Sequence, residues 1–148
     1  MKYTVYLSGE IHSDWREKIK NATKEHNLPI EILTPNTDHD SSDECGAGIL
    51  GAEEKPFWKD HKAARLNSIR HMTALNRADI VIVRFGEKYK QWNAAFDAGI
   101  ATALGKSLIV EHAKELTHPL KEVDAAAMAV AENTEQVIEI LRYLCQDY

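Results

Sequence analysis

The densest run of reactive side chains in this sequence lies between Arg84 and Gly99. Asn93 and Asp97 stand four residues apart, so on a helix their side chains are neighbours one turn apart. At about 100° per residue, Asp97 falls at the border of the apolar face rather than in its middle. A carboxylate there can be half buried and still reach the ends of neighbouring strands. Phe85, Tyr89 and Trp92 offer aromatic surface for a planar base, and Gln91 and Asn93 offer amides that can read its edge. The plainer role for Asp97 is to complement a helix dipole, worth roughly a few tenths of a kcal/mol. The residues alone leave both roles open.

A second candidate is the stretch Ser8 to Asp14. A small residue and Gly9 at a strand end let a ligand approach the backbone, and a following helix would present unpaired N–H groups to it. Glu10 and Asp14 repel an anion, whereas Arg16 favours one. The mixed signs suit a hydroxyl-rich neutral ligand such as a sugar, or a phosphate held by Arg16. A plain tight turn fits the same residues. His12, His39, His61, His71, His112 and His118 are scattered, without the close pairing of a zinc helix. His12 and His112 would lie near the strand ends, where either could protonate a leaving base. Asp38-His39-Asp40 has the residue types of a divalent-cation site, but no metal or cofactor is expected.

These residues need strand ends and helix starts to carry them. Tyr3 to Ser8, Ile30 to Leu33, Asp79 to Arg84 and Ser107 to Val110 read as short buried strands. Ser13 is a candidate cap for a helix with Trp15, Ile19, Ala22, Thr23 and His26 on one face. Ala63 to Arg77 reads as a helix turning Leu66, Ile69, Met72 and Leu75 toward the core. Trp92 to Leu104 has the best helical periodicity, with Trp92, Ala95, Phe96, Gly99, Ile100, Ala103 and Leu104 on its apolar face and Gly105 as its C-cap. Ala94, Ala98 and Ala101 form a stripe opposite. Ala125 to Ala131 reads either as helix, from its alanines, or as a last strand. Asn133 with Gln136 gives a capping-box signal for a final helix that buries Val137, Ile138, Leu141, Leu144 and Cys145.

Alternating strands and helices predict an α/β domain over residues 1–148: a three-layer, flavodoxin-like fold with five parallel strands. Ligands of such folds bind beyond the carboxyl ends of the strands. Gly9 to Asp14, Phe85 to Asn93 and Glu111 to His118 should therefore meet. Residues 34–59 show no clear periodicity and read as an acidic loop or a cover over the site, with Phe57 or Trp58 closing on the ligand.

Composition narrows the classes. The chain has 148 residues, 44% of them hydrophobic, and a formal charge of −5 with no basic block. That argues against disorder, nucleic acid polymers and polybasic membrane anchoring. The longest apolar run, Ala125 to Ala131, is far short of the roughly 18 residues a membrane span needs. No secretory signal follows Met1, and Cys45 and Cys145 lack paired spacing, so a cytoplasmic location with reduced thiols is expected. A phosphoacceptor receiver needs acidic residues after its first strand and an Asp ending its third, where this chain has Val83-Arg84-Phe85. Glu10 and Asp14 likewise spoil the phosphate loop of a flavin binder.

Ala78-Asp79 through Val110 carries a resemblance. With Phe96-Asp97-Ala98-Gly99, Ala101, Ala103-Leu104-Gly105-Lys106 and Ser107-Leu108-Ile109-Val110, it resembles the nucleoside 2-deoxyribosyltransferase superfamily. Tyr6-Leu7-Ser8-Gly9 is similar to that family's first strand and substrate turn. Val83 to Tyr89 and Gln91 to Asp97 look closest to its small bacterial YtoQ branch, a likeness covering nearly the whole chain. The resemblance implies a retaining mechanism: a helix carboxylate attacks the anomeric carbon of a 2-deoxynucleoside, and a second base or water then takes the sugar. It places Asp97 as the catalytic group and Tyr6, Ser8, Gly9, Glu10, Phe85, Gln91, Trp92 and Asn93 around the substrate.

Two departures from the family pattern stand out. The family nucleophile is a Glu, so Asp97 would need the sugar about 1.5 Å closer. Gln91 stands where transferases often place a base-contacting Asp, and an amide binds a base without protonating it. The expected function is therefore an N-glycosyl transferase or hydrolase for nucleosides or deoxynucleotides. Its rival is a non-catalytic nucleotide- or nucleotide-sugar-binding module on the same fold. The alanine stripe suits packing against another helix, and the resemblance implies sites completed by a neighbouring subunit, so a homo-oligomer is expected. An alanine face chosen only for helix propensity is the alternative.

Overall fold

A computed structural model describes residues 2–147. Five strands, β1 (Tyr3–Gly9), β2 (Ile30–Leu33), β3 (Ile80–Phe85), β4 (Ser107–His112) and β5 (Ala129–Ala131), form one parallel sheet in the order β2-β1-β3-β4-β5. The helices are α1 (Trp15–Glu25), α2 (His39–Leu50), α3 (Pro56–Arg77), α4 (Trp92–Ala103), α5 (Lys121–Ala126) and α6 (Thr134–Leu144). The expected α/β fold with a flavodoxin-like strand order is thus present.

Strand residues alternate between two cores because successive side chains point to opposite faces. Val5, Leu7, Ile80, Ile82 and Ile109 pack with Trp15 and Ile19 of α1 and Val137 and Leu141 of α6. Tyr6, Val81, Val83, Leu108 and Val110 pack on the other side with Leu75 of α3 and Ala94, Ala98 and Ala101 of α4. The two cores make three layers. The strand order reverses between β1 and β3, where Ser8 pairs with Val83 and Gly9 with Arg84. That reversal opens a crevice above these strand ends.

Several expectations are corrected. The side of α4 that meets the sheet is its alanine stripe, with Ala94, Ala98 and Ala101 at most 2% exposed, while Trp92 and Phe96 are 73% and 69% exposed. Both faces of this helix are apolar, so periodicity alone could not choose between them. Methyl groups let the helix lie close on the strands, which bulky rings would prevent. On α3, Leu75 is buried, but Ile69 and Met72 face outward.

Residues 34–59 are largely helical. Asp38 caps α2 by accepting from the Ser41 N–H at 3.0 Å, and Pro56 opens α3. Ser13 does not cap α1: the N-cap is Asp14, and the Ser13 hydroxyl donates to Glu10 instead. Ala125 to Ala131 divides between both readings, ending α5 and forming β5. In α6, Val137 and Leu141 are buried, Ile138, Leu144 and Cys145 only partly so, and Asn133 accepts from the Gln136 N–H at 2.9 Å as expected.

Candidate functional site

The β1 turn is built as a rigid object. Gly9 has φ +106°, and a Cβ there would overlap the Arg84 carbonyl oxygen, which accepts the Glu10 N–H at 3.0 Å. Only glycine combines that backbone angle with that approach. The buried Arg16 guanidinium donates to the carbonyls of Leu7, Gly9 and Glu10. Burial lowers its pKa to about 10, opposed by Tyr6 and Glu10. Arg16 is spent on the backbone and is not positioned for a phosphate.

The Glu10 side chain accepts from the His12 N–H, Ser13 Oγ and Arg84 Nε. Burial would raise its carboxyl, but these hydrogen bonds and the Arg84 charge prevail and hold it below the ordinary value. Arg84 also pairs with Glu111, which accepts from Thr134 Oγ1 at 2.9 Å. A chain of polar contacts therefore runs from the start of α6 beneath β4 and β3 to the turn. Burial raises the Glu111 carboxyl despite Arg84, and its Oε2 has no hydrogen-bond partner among the described residues.

Opposite the turn, Asp97 sits on the second turn of α4, 6% exposed, and accepts from Ser8 Oγ at 2.5 Å. Burial raises its carboxyl above the ordinary value, with the Ser8 hydrogen bond and His71 acting against the shift. Tyr6 lies beneath, fully buried, its hydroxyl without a hydrogen-bond partner among the described residues and its pKa raised by burial and then by the Asp97 charge. Replacing Ser8 with Ala is expected to move the Asp97 midpoint further upward. A hydrogen bond to a charged group contributes about 1.5–3 kcal/mol, and the ionised form of Asp97 loses that support. A carboxyl-resolved NMR titration of Ser8→Ala beside the parent protein checks the shift.

Between the turn and α4 lies a cavity of ≈ 400 Å³. Of the expected site residues, Ser8, Gly9, Glu10, Gln91, Trp92, Asn93 and Asp97 line it together. Tyr6 and Phe85 do not reach its wall; both belong to the core beneath. Gln91 Oε1 accepts the Gly86 N–H at 2.8 Å, which leaves its NH₂ group to donate. His12 reaches the wall with its ring tilted 54° against Tyr89, centroids 4.8 Å apart.

The third wall is not the one expected. Residues 111–118 are absent from the lining, because Glu111 is held by Arg84 and Thr134, and His112 by Asp124 at 2.9 Å. Pro35, Asn36, His39 and Ser42 take their place, with His71 from α3. Phe57 and Trp58 are exposed, make an aromatic group with His61, and do not close on the cavity. Polar residues before a helix gave no signal that they would form a wall. His71 follows Asn67 and Ser68 by one turn on the same face of α3, a polar stripe that could have marked it. Among the described residues, no group of three or more His, Cys, Asp or Glu side chains is arranged to hold a metal, and Asp38 serves as a helix cap.

The family model described as nucleoside 2-deoxyribosyltransferase YtoQ matches residues 6–145. Protein YtoQ of Bacillus subtilis (strain 168) is 48% identical over 144 residues, covering 97% of each chain. The solved 2-deoxyribosyltransferase of Bacillus psychrosaccharolyticus superposes with a TM-score of 0.52 at 16% identity, over 91% of this chain and 90% of that one. The CMP N-glycosidase BcmB of Clostridium botulinum gives 0.55 at 12% identity, over 95% and 98%. At such identities these two structures share the fold with this chain.

Proposed function

Because this chain belongs to the nucleoside 2-deoxyribosyltransferase YtoQ family, we propose that it breaks the N-glycosidic bond of a nucleoside or deoxynucleotide, with Asp97 taking the sugar. The observation that carries this reading is the buried Asp97 carboxylate on the cavity wall, oriented by Ser8 at 2.5 Å. A carboxylate held by one short hydrogen bond keeps its second oxygen for attack on an anomeric carbon. As the C1′–N bond breaks, its electron pair leaves with the base, and Asp97 carries the sugar as an ester. Attack at C1′ by a second base or by water then frees the carboxylate with net retention.

The aromatic walls at Tyr89 and Trp92 fit the planar base, and the Gln91 and Asn93 amides fit its polar edge. Of the three cavity histidines, His12, His39 and His71, it is His12 that lies beside Tyr89 on the base side, and it would protonate the leaving nitrogen. The test is incubation with the common 2′-deoxynucleosides and their 5′-monophosphates, with and without an acceptor base, followed by chromatography. Released or exchanged base supports the reading. Tight calorimetric binding without turnover selects a binding module instead.

The partner is a small molecule, not a nucleic acid polymer, and the protein acts in the cytoplasm; free Cys45 and Cys145 suit reduced thiols. Among the described residues, no helix is long and apolar enough to cross a membrane. A homo-oligomer is supported by the outward rings of Trp92 and Phe96 and by exposed Ile69 and Met72. Phe96→Asp is expected to lower the mass measured by light scattering after size exclusion and leave the far-ultraviolet circular dichroism unchanged. An unchanged mass would remove Phe96 from any interface.

A further inference from the structure

The chain of polar contacts from α6 does not stop at the β1 turn. Glu10, held by Arg84 Nε, the His12 N–H and Ser13 Oγ, lays its side chain against Gly86. A Cβ on Gly86 would come within 2.4 Å of Glu10 Cγ, so the backbone passes there because residue 86 has no side chain. The Gly86 N–H donates in turn to Gln91 Oε1 at 2.8 Å. Gln91 occupies the N-cap position of α4, yet its side chain makes no cap hydrogen bond, because its carbonyl oxygen is spent on Gly86. The amide is therefore fixed in one sense. Its NH₂ group is the end left for the cavity that Gln91 lines, and no group among the described residues accepts from it.

Lys90, its neighbour in sequence, lines the same cavity, with Nζ 5.5 Å from the centroid of the Trp92 ring. An ammonium group donates and cannot accept, whereas the Asn93 amide does both and discriminates little. The Glu10 carboxylate is already taken by three donors from the protein. The wall beside the Tyr89 and Trp92 rings thus presents donors at Gln91 and Lys90 and calls for acceptors on the base. Guanine, hypoxanthine, cytosine, thymine and uracil each carry a carbonyl oxygen that meets this need. Adenine carries none. Its N1 and N7 acceptors both flank the 6-amino group, whose N–H would face Gln91 or Lys90 donor to donor. A polar group of the site left without its partner is what makes such an analogue bind poorly.

We propose that Gln91, aimed by Gly86 and Glu10, is a specificity-determining residue that selects nucleosides whose base bears a carbonyl oxygen and rejects those of adenine. This inference rests on the reading that a nucleoside with its sugar at Asp97 lays its base beside Gln91. It narrows the substrate class from all nucleosides to those of the oxo-bearing bases.

Calorimetric titration of Asp97→Asn, which prevents turnover, tests it with deoxyinosine, deoxycytidine, thymidine and deoxyadenosine. Deoxyinosine and deoxyadenosine form a matched pair, differing only in the 6-oxo or 6-amino group and the N1 proton. At least one of the three carbonyl-bearing nucleosides is expected to bind, about tenfold or more tightly than deoxyadenosine. Adding Gln91→Glu keeps an acceptor for the Gly86 N–H and turns a second acceptor, in place of the NH₂ group, toward the base. It should bring deoxyadenosine within about threefold of the best carbonyl-bearing nucleoside, by strengthening the one and weakening the other. A carboxylate suits a helix N-terminus, and circular dichroism checks that the variant is folded. Deoxyadenosine binding as tightly as the others, or a gap that Gln91→Glu leaves unchanged, overturns the selection while the reading of Asp97 stands. Failure of all four nucleosides to bind overturns both.

Discussion

Asp97→Asn is expected to cut base release by about a thousandfold or more while leaving the protein as stable as before, or more so. Loss of a nucleophile costs rates of about 10³ to 10⁶, because neither neighbouring groups nor water replace it at the same geometry. The stability half follows from burial. The Asp97 carboxyl is raised above its ordinary 3.8 because desolvation outweighs the help from Ser8 and His71. A raised value in the folded state means that the contribution of Asp97 to stability is fully present below its unfolded pKa. It is lost as pH rises through the folded pKa. At neutral pH the ionised group is therefore a cost that the uncharged amide removes.

Under this reading the parent protein should gain activity with rising pH through a midpoint above 3.8, since only the ionised carboxylate attacks. Glu10 has the opposite sign. Its lowered carboxyl contributes stability above its unfolded 4.5 that is lost as pH falls through the folded value. Paired thermal unfolding and pH–rate profiles of the two proteins check these statements. An Asn variant that turns over normally would remove Asp97 from the chemistry.

Gly9→Ala is expected to lower folding stability by about 2–4 kcal/mol and to impair the site as well. The position has φ +106°, which L side chains rarely adopt, and the added methyl would overlap the Arg84 carbonyl oxygen. Relief would require β1 and β3 to separate at the strand ends that carry Ser8 and Glu10, shifting the donor that orients Asp97. Urea unfolding and kcat/KM, measured on the same preparation, test the two effects together. A loss under about 0.5 kcal/mol, the range of ordinary surface changes, would mean that the turn is not the rigid element described.

The elements whose burial leaves a clean signature were legible in the sequence. β1, β3 and β4 are apolar on both faces because helices cover both, and α6 announces its start through Asn133 and Gln136. The orientation of α4 was not legible. Its alanine stripe and its aromatic stripe are both apolar, and the choice is made by how closely a helix must approach β1, β3 and β4. Nor was α2, whose residues from His39 to Leu50 are mostly polar or small and bury only Gly46.

The site divides along the same line. Residues attached to strand ends, Ser8 to Glu10 and Gln91 to Asp97, were recoverable because the strands fix where they go. The wall from Asn36, Ser42 and His71 depends on how α2 and α3 fold over those ends, a tertiary outcome that no local pattern fixes. The resemblance places Tyr6 beside the substrate, and Phe85 reads as aromatic surface for a base. Strand alternation instead turns them into the core beneath α4.

On the proposed reading, Asp97 becomes bonded to the sugar during turnover. Acid quenching of the protein during reaction with a 2′-deoxynucleoside, followed by intact-mass and peptide mass spectrometry, tests it most directly. The expected result is an added mass of one deoxyribosyl group, located on the peptide containing Asp97 and absent from Asp97→Asn. Base release with no sugar on that peptide, or with the sugar on another residue, would contradict it.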